Sequence, residues 1–242
     1  MGAMVGHDGN AITARVALRS CRLFADLDDW TLELVDAAMR TRRFRRSEVI
    51  FHAGDPGDAL FVVTAGQVKI TLPSDDGSEP AILTTIGAGG FFGELALLDG
   101  AARSATAIAL DGVEAQVLQR ESFQQLLDEQ PLLRHVLLVA LAGEIRRITG
   151  QVEDLHFLDL PGRLARHLLR SLEDGERGTG LPIGEQRLPW PYTQSELAGM
   201  IGGSRQSVNR LLADLVGQGL LRFEGDTLVI PDAARLAAAV RR

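Results

Sequence analysis

Phe91-Phe92-Gly93-Glu94-Leu95-Ala96-Leu97-Leu98-Asp99-Gly100-Ala101-Ala102-Arg103-Ser104-Ala105-Thr106-Ala107 sets a turn glycine and one carboxylate ahead of a short apolar segment, then closes on an Arg-Ser pair between small residues. A guanidinium matches a phosphate bidentately, and the Ser104 hydroxyl with nearby backbone N–H groups completes a cradle for an anion. Glu94 would repel that anion, so a sugar hydroxyl on the same ligand is its natural partner. Gly93, Leu95 and Ala105 surround these groups, and the glycines and small residues clear space that a simple brace would not need. A plainer reading stays open at this point: Glu94 and Arg103 form an internal ion pair that holds a loop of a β-roll.

Working outward, the chain has 242 residues, enough for two domains, and its 45% hydrophobic and 24% charged content is that of a soluble globular protein. The single cysteine, Cys21, excludes a disulfide framework and a four-cysteine metal or iron–sulfur site within one chain. Its simplest reading is a small buried thiol. No secretory signal and no apolar run of membrane-spanning length is present, so a cytoplasmic location without membrane association is the expectation. Net charge is −7, but it is unevenly placed: residues 1–158 carry 14 basic and 22 acidic side chains, residues 159–242 carry 11 and 10. The C-terminal part is therefore open to a nucleic-acid partner. Its affinity would rest on a few placed arginines and helix N-termini.

Residues 1–13 read as a disordered segment. Residues 14–40 read as helical, with a turn around Phe24-Ala25-Asp26-Leu27-Asp28-Asp29 and Leu32, Val35 and Met39 at helical spacing. The run Arg40, Arg42, Arg43, Arg45, Arg46 reads first as a solvated face bridging to acidic neighbours. From Val49 the period changes to two. Val49-Ile50-Phe51, residues 59–63, 66–72, 81–86, 104–110 and 113–118 read as strands. They are punctuated by Gly54-Asp55-Pro56-Gly57-Asp58, Ser74-Asp75-Asp76-Gly77 and Gly87-Ala88-Gly89-Gly90. Many short strands with Gly-rich turns predict an antiparallel roll or barrel over residues 14–120. With it, the Phe-Gly-Glu-Leu-Ala and Arg-Ser-Ala signatures resemble the phosphate-binding cassette of cyclic-nucleotide-binding domains. The resemblance implies Glu94 on the ribose 2′-hydroxyl and Arg103 with Ser104 on the cyclic phosphate.

Residues 121–156 read as helix, with Pro131 as a kink or restart. Leu138, Leu141, Ile145, Ile148, Val152 and Leu155 step by alternating threes and fours. That is the seam of a coiled coil, and it predicts a homodimer. Phe157-Leu158-Asp159-Leu160-Pro161-Gly162, a hinge at 157–162, separates this helix from the last domain, 163–242. There Asp159 is a fitting N-cap for a helix running to about residue 172, and residues 173–184 form a Gly-rich polar loop.

Thr193-Gln194-Ser195-Glu196 is a capping box opening a short helix, Gly202-Gly203 a turn, and Ser204 the cap of a second helix ending near Gly217. This is a helix-turn-helix, and residues 220–230 add a hairpin wing. Arg205, Gln206, Asn209 and Arg210 share the exposed face of the second helix and are of the types that read base edges. Ser204-Arg205-Gln206-Ser207-Val208-Asn209-Arg210 resembles the recognition-helix pattern Ser-Arg-Glu-Thr-Val-x-Arg of the CRP/FNR family of transcription regulators.

The resemblance implies an α+β protein: an N-terminal β-roll, a long dimerisation helix and a C-terminal winged helix-turn-helix. It implies a homodimer on double-stranded DNA, with Thr193, Ser204, Arg205, Gln206, Ser207, Asn209 and Arg210 at the interface. The effector would be cAMP, with cGMP as the alternative, no metal is required, and RNA polymerase is a further partner. Two positions depart from the pattern. Gln206 stands where a glutamate is usual. Ile148 precedes Thr149 where cAMP-responsive members carry a Thr-Ser pair on the adenine, so only Thr149 keeps a hydroxyl. Two rivals follow: a regulator that binds DNA without ligand, and a ligand sensor that acts through protein partners. No nucleophile–base pair suggests an enzyme.

Overall fold

The computed structural model describes residues 18–21, 23–73, 80–175, 184–190 and 192–239. The segment 1–13, the turn Ser74-Asp75-Asp76-Gly77 and most of the loop at 173–184 lie outside the described residues. The chain divides into two compact units, Met1–Ile145 and Arg146–Arg242.

In the first unit, helix α1 (Asp29–Ala38) starts on Asp28, whose carboxylate accepts from the Thr31 backbone N–H at 2.7 Å. Strands β1 (Met39–Phe44), β2 (Val49–Phe51), β3 (Ala59–Ala65), β4 (Val68–Leu72), β5 (Ala81–Ile86) and β6 (Phe91–Phe92) follow. The short helix α2 (Glu94–Asp99), β7 (Thr106–Ala109) and β8 (Val113–Gln119) complete the roll. Two four-stranded antiparallel sheets result, in the orders β1-β8-β3-β6 and β2-β7-β4-β5. Phe44, Phe61, Val63, Phe92, Val113 and Val117 from the first sheet meet Val68, Ala107 and Ala109 from the second in one core.

Strand β3 shows why its sequence is apolar without alternation. Phe61 and Val63 face the inside of the roll, while Leu60 and Val62 join a second core with α1 and the helices after the roll. A strand covered on both faces has no solvent side to keep polar.

The expected helix over 14–40 ends earlier than the spacing suggested. Met39 and Arg40 belong to β1, which pairs with β8 in the register Met39↔Leu118 to Phe44↔Val113. The arginine run lies on this edge strand and the turn after it, exposed to solvent, and Arg43 Nε donates to Glu114 at 2.7 Å.

The expected helix over 121–156 is two. Helix α3 (Arg120–Glu129) stops at Gln130, and α4 (Pro131–Phe157) begins on Pro131, whose fixed φ and missing N–H suit a first helical position. Leu133 and Leu137 anchor the start of α4 in the helical core of the first unit, with Leu141 packed against it. Cys21 is buried in the same core, and that burial pushes its thiol up to about 11. It is an inert packing residue.

The second unit takes the last turns of α4, then α5 (Leu160–Gly175), β9 (Gln186–Pro189), α6 (Gln194–Ile201), α7 (Arg205–Gly217), β10 (Arg222–Glu224), β11 (Thr227–Ile230) and α8 (Ala233–Ala239). Asp159 Oδ1 accepts from the Gly162 backbone N–H at 2.9 Å, capping α5 as its sequence suggests. Leu164, Leu168, Leu197, Ile201, Val208, Leu212 and Leu228 form the core. The wing has a third strand: β9 adds to the β10–β11 hairpin in the order β10-β11-β9.

Candidate ligand and nucleic-acid binding sites

In the roll, the turn before α2 and the loop before β7 bring Glu94 and Arg103 to one place. Gly93 has φ 85°, and a Cβ there would lie 2.7 Å from Arg103 Nη1. Only glycine permits both the left-handed backbone and the close approach. Arg103 is 5% exposed. Nη1 donates to Gly93 O at 2.7 Å and Nη2 to Ala59 O at 2.8 Å. The guanidinium carbon stands 4.3 Å from the centroid of the Phe51 ring. Behind it Phe61 and Phe92 stack with centroids 5.0 Å apart.

Arg103 makes its ion pair with Asp58, at 3.6 Å, and Asp58 is itself largely exposed. Glu94 acts on Arg103 only as a more distant charge. The buried Nε of Arg103 has no partner among the described residues. Desolvation is the first cause that lowers the Arg103 pKa and raises that of Glu94, where Glu144 adds to the rise. The roll thus holds a partly compensated buried cation with an open N–H beside a covered carboxylate. Ser104 and Leu95 are exposed, and Ala105 is buried beneath the loop. Arg120 also ties the loop, through Nη2 to Ala96 O at 2.8 Å and to Gly57 O. Sequence reasoning missed Arg120, Asp58 and Phe51 as site residues, because only tertiary contacts bring the start of α3, the turn before β3 and strand β2 to the loop that holds Arg103.

In the second unit, Thr193 accepts from the Glu196 N–H at 3.2 Å, and Glu196 accepts from the Thr193 N–H at 2.8 Å, closing the expected capping box. Gly202 takes φ 66° at the end of α6, and a Cβ on Gly203 would meet Leu160 Cδ1 at 2.7 Å. The first glycine supplies the turn and the second the clearance. Ser204 caps α7 by accepting from the Ser207 N–H at 3.1 Å, and the two hydroxyls lie 2.9 Å apart. Arg205, Gln206, Asn209 and Arg210 are exposed, while Val208 and Leu212 are buried. The face read from the sequence is the one α7 presents.

Several residues that the sequence did not single out hold this element. Arg163 donates to Ile201 O at 2.7 Å, Leu158 O at 3.1 Å and Gly202 O at 3.2 Å. It fastens the break after α4 to the turn of the helix-turn-helix. Asp154, with a 12% exposed side chain, receives Arg170 at 2.7 Å and Arg166 at 3.5 Å. Gln194 Nε2 donates to Asn209 Oδ1 at 3.0 Å. Thr149 and Ile148 lie on α4, and Ile148 is 47% exposed.

A sensing roll and a DNA-reading winged helix in one chain are the parts of a ligand-responsive transcription regulator. The comparisons agree. Residues 41–130 match the cyclic nucleotide-binding domain family, and residues 162–239 match the Crp-like helix-turn-helix domain family. The chain is 35% identical over 198 residues to the CRP-like cAMP-activated global transcriptional regulator of Mycobacterium tuberculosis, covering 82% of this chain and 87% of the relative. It is 32% identical over 219 residues to the cyclic AMP receptor protein of Thermus thermophilus, covering 90% and 96%. Among solved structures, the c-di-GMP responsive global regulator CLP of Xanthomonas campestris superposes with a TM-score of 0.70 at 28% identity, covering 84% of this chain and 99% of that one.

The chain belongs to the CRP/FNR family of transcription regulators, and it carries the family's cyclic nucleotide-binding and DNA-binding domains. The Mycobacterium relative is a global transcriptional regulator and the Thermus relative a cyclic AMP receptor protein.

Proposed function

We propose that this protein is a homodimeric regulator that binds a palindromic operator under the control of cAMP, with cGMP as the alternative effector. The observation that carries this reading is Arg103: a buried guanidinium whose Nε has no partner among the described residues and whose ion pair is to the exposed Asp58. A buried charge is costly until an opposite charge and good hydrogen bonds compensate it. A cyclic phosphate supplies both. In this reading Arg103 and Ser104 hold the phosphate, Gly93, Leu95 and Ala105 frame it with backbone, and Glu94 accepts from a ribose hydroxyl. Thr149 meets the base. The similarity to a cAMP-activated regulator supports adenine as that base.

The dimer is supported by the seam on α4. Leu138 and Ile145 are each 65% exposed and Leu155 is 55% exposed, a stripe too apolar to face water alone. Two-fold pairing would set two α7 helices on half-sites about 34 Å apart. Thr193, Ser204 and Ser207 would touch phosphates, and Arg205, Gln206, Asn209 and Arg210 bases. The ligand acts by binding the DNA-competent state more tightly. Among the described residues no helix is long and apolar enough to cross a membrane, which accords with action in the cytoplasm, where RNA polymerase is the expected partner.

The test is fluorescence anisotropy on a labelled family-type palindrome at fixed salt, without ligand and with cAMP, cGMP or c-di-GMP. Tightening by cAMP is the expected result. Equal binding in every arm would overturn ligand control. A response to c-di-GMP alone would fit a second reading, favoured by Ile148 at the base-contact position and by the Xanthomonas neighbour.

A further inference from the structure

The wing carries a closed ring of four charges. Arg187 on β9 meets Glu185 at 3.1 Å and also contacts Glu224, while Arg222 on β10 meets Glu185 at 2.7 Å and Glu224 at 2.8 Å. Strand register places the ring. Arg187 and Arg222 both pair with Val229 of the central strand β11, from opposite sides. Directly opposed residues share a face of a sheet. Leu228 and Ile230 point into the core of the unit, so Val229 points away from it, yet Val229 is fully buried. The stems of the two arginines cover it, with their heads held by the two glutamates.

The turn at the wing's end, Glu224-Gly225-Asp226-Thr227, adds a further exposed carboxylate in Asp226. Two arginines therefore stand against three carboxylates. Arg205 and Arg210 on α7 differ, having no carboxylate partner among the described residues. Sequence-independent DNA affinity comes from cationic groups that neutralise phosphates and release counterions. An arginine already bridged by two carboxylates gives a phosphate no net attraction.

We propose that this quartet makes the wing an electrostatic brake on non-specific DNA binding, leaving affinity to the base-reading face of α7. Glu185 and Glu224 are then specificity-determining residues, although neither meets a base. The proposal rests on the DNA-binding reading above.

The test compares the full-length wild type with E185Q/E224Q and with the charge-neutral deletion E185Q/R187Q/R222Q/E224Q. Binding to the palindrome and to a labelled duplex of unrelated sequence is titrated between about 50 and 200 mM salt. Freeing two arginines in E185Q/E224Q should steepen the log–log salt slope on unrelated DNA by about 2 and tighten binding at low salt on the order of tenfold. The ratio of palindrome to unrelated affinity should fall. The charge-neutral deletion should keep the wild-type slope. An unchanged slope in E185Q/E224Q would overturn the proposal. So would a slope about 2 shallower in the charge-neutral deletion, since the arginines would then already sit on phosphates. If E185Q/E224Q does not fold, E185Q and E224Q are titrated singly, each expected to steepen the slope by about 1, and an unchanged slope in both would overturn the proposal. A wild type that fails to prefer the palindrome would sink the regulator reading instead, a result separate from either slope.

Discussion

Gln194 holds Asn209 across the helix-turn-helix, its Nε2 donating to the Asn209 Oδ1 at 3.0 Å. An asparagine that reads adenine bidentately needs Oδ1 as acceptor and Nδ2 as donor together. With Oδ1 committed to Gln194, Asn209 offers mainly its Nδ2 hydrogens, which suit an acceptor such as guanine N7 or O6. Gln194→Ala should shift preference at that base pair toward adenine, and Asn209→Ala should erase the preference there. Discrimination of about 1–3 kcal/mol is at stake. Selection from randomised half-sites reads it directly, and an unaltered motif from both variants would remove the amide pair from recognition.

Arg103 braces the roll as well as offering an anion site, and the two roles separate by substitution. Arg103→Lys keeps a cation but abandons Gly93 O and Ala59 O, the acceptors at 2.7 and 2.8 Å. An unpaired buried polar group costs about 1–3 kcal/mol. The ligand-free variant should therefore lose about 2–4 kcal/mol of stability, seen in chemical denaturation. It should also lose the response to cyclic nucleotide. A variant of native stability that still responds would mean that Arg103 does neither.

For Glu94 the sign of the pH effect follows from its raised pKa, set first by desolvation. A carboxyl raised by folding contributes stability that is complete below the ordinary carboxylate range and lost as pH rises through the raised value. Above that raised value the ionised Glu94 is thus a burden on the empty roll. Glu94→Gln should melt higher than wild type near pH 7, with the gap closing toward about pH 4. Its cAMP affinity should fall about tenfold, because a hydrogen bond to a charged acceptor is exchanged for a neutral one. Calorimetry at both pH values separates the two effects.

The turn and short helix at Glu94 and the helix-turn-helix were legible because each is written in contiguous residues. Gly93 through Ala105 and Thr193 through Arg210 carry their own turns and caps, so local chemistry places them. Strand β1 went unread, its first two residues taken into the helix and the rest as a solvated face, because Arg40, Thr41, Arg42 and Arg43 are all exposed on an edge strand. No alternation marks such a segment. Strand β9 escaped notice because Gln186–Pro189 is short, ends on proline and exists only through its pairing with β11. The hydrogen-bond partners of Arg103 are two backbone carbonyls, one of them 44 residues away, and a carbonyl leaves no trace in side-chain identity. Leu141, counted in the seam, packs against the core of its own unit. The spacing named the stripe but not the neighbour of each member.

Ile148 is the residue most exposed to test among the ligand assignments. Its side chain neither donates nor accepts, and it is 47% exposed on α4. Ile148→Thr restores a hydroxyl beside Thr149. If these positions meet the base, one added hydrogen bond of about 0.5–1.5 kcal/mol should tighten cAMP about two- to tenfold. Isothermal titration with cAMP and cGMP gives the comparison. No change with either nucleotide would place the base elsewhere.

His167 sets the acid limit of the DNA-binding unit. Its Nε2 is buried without a partner among the described residues, and its ring lies edge-on to Tyr192 with centroids 6.5 Å apart. Burial, with a smaller push from the Arg170 charge, brings its pKa from 6.5 down to about 4. A depressed pKa contributes stability that is present above the unfolded value and lost as pH falls through the folded one. The unit should therefore weaken progressively from pH 6.5 to about 4, by on the order of 3 kcal/mol. His167→Phe fills the same space without a proton to take up, so its stability should stay nearly flat over that range. Trp190, 5.3 Å from Tyr192, reports unfolding of this unit by fluorescence once Trp30 is replaced with phenylalanine. A urea series at several pH values then decides: parallel pH profiles for wild type and His167→Phe would mean that another group carries the acid sensitivity.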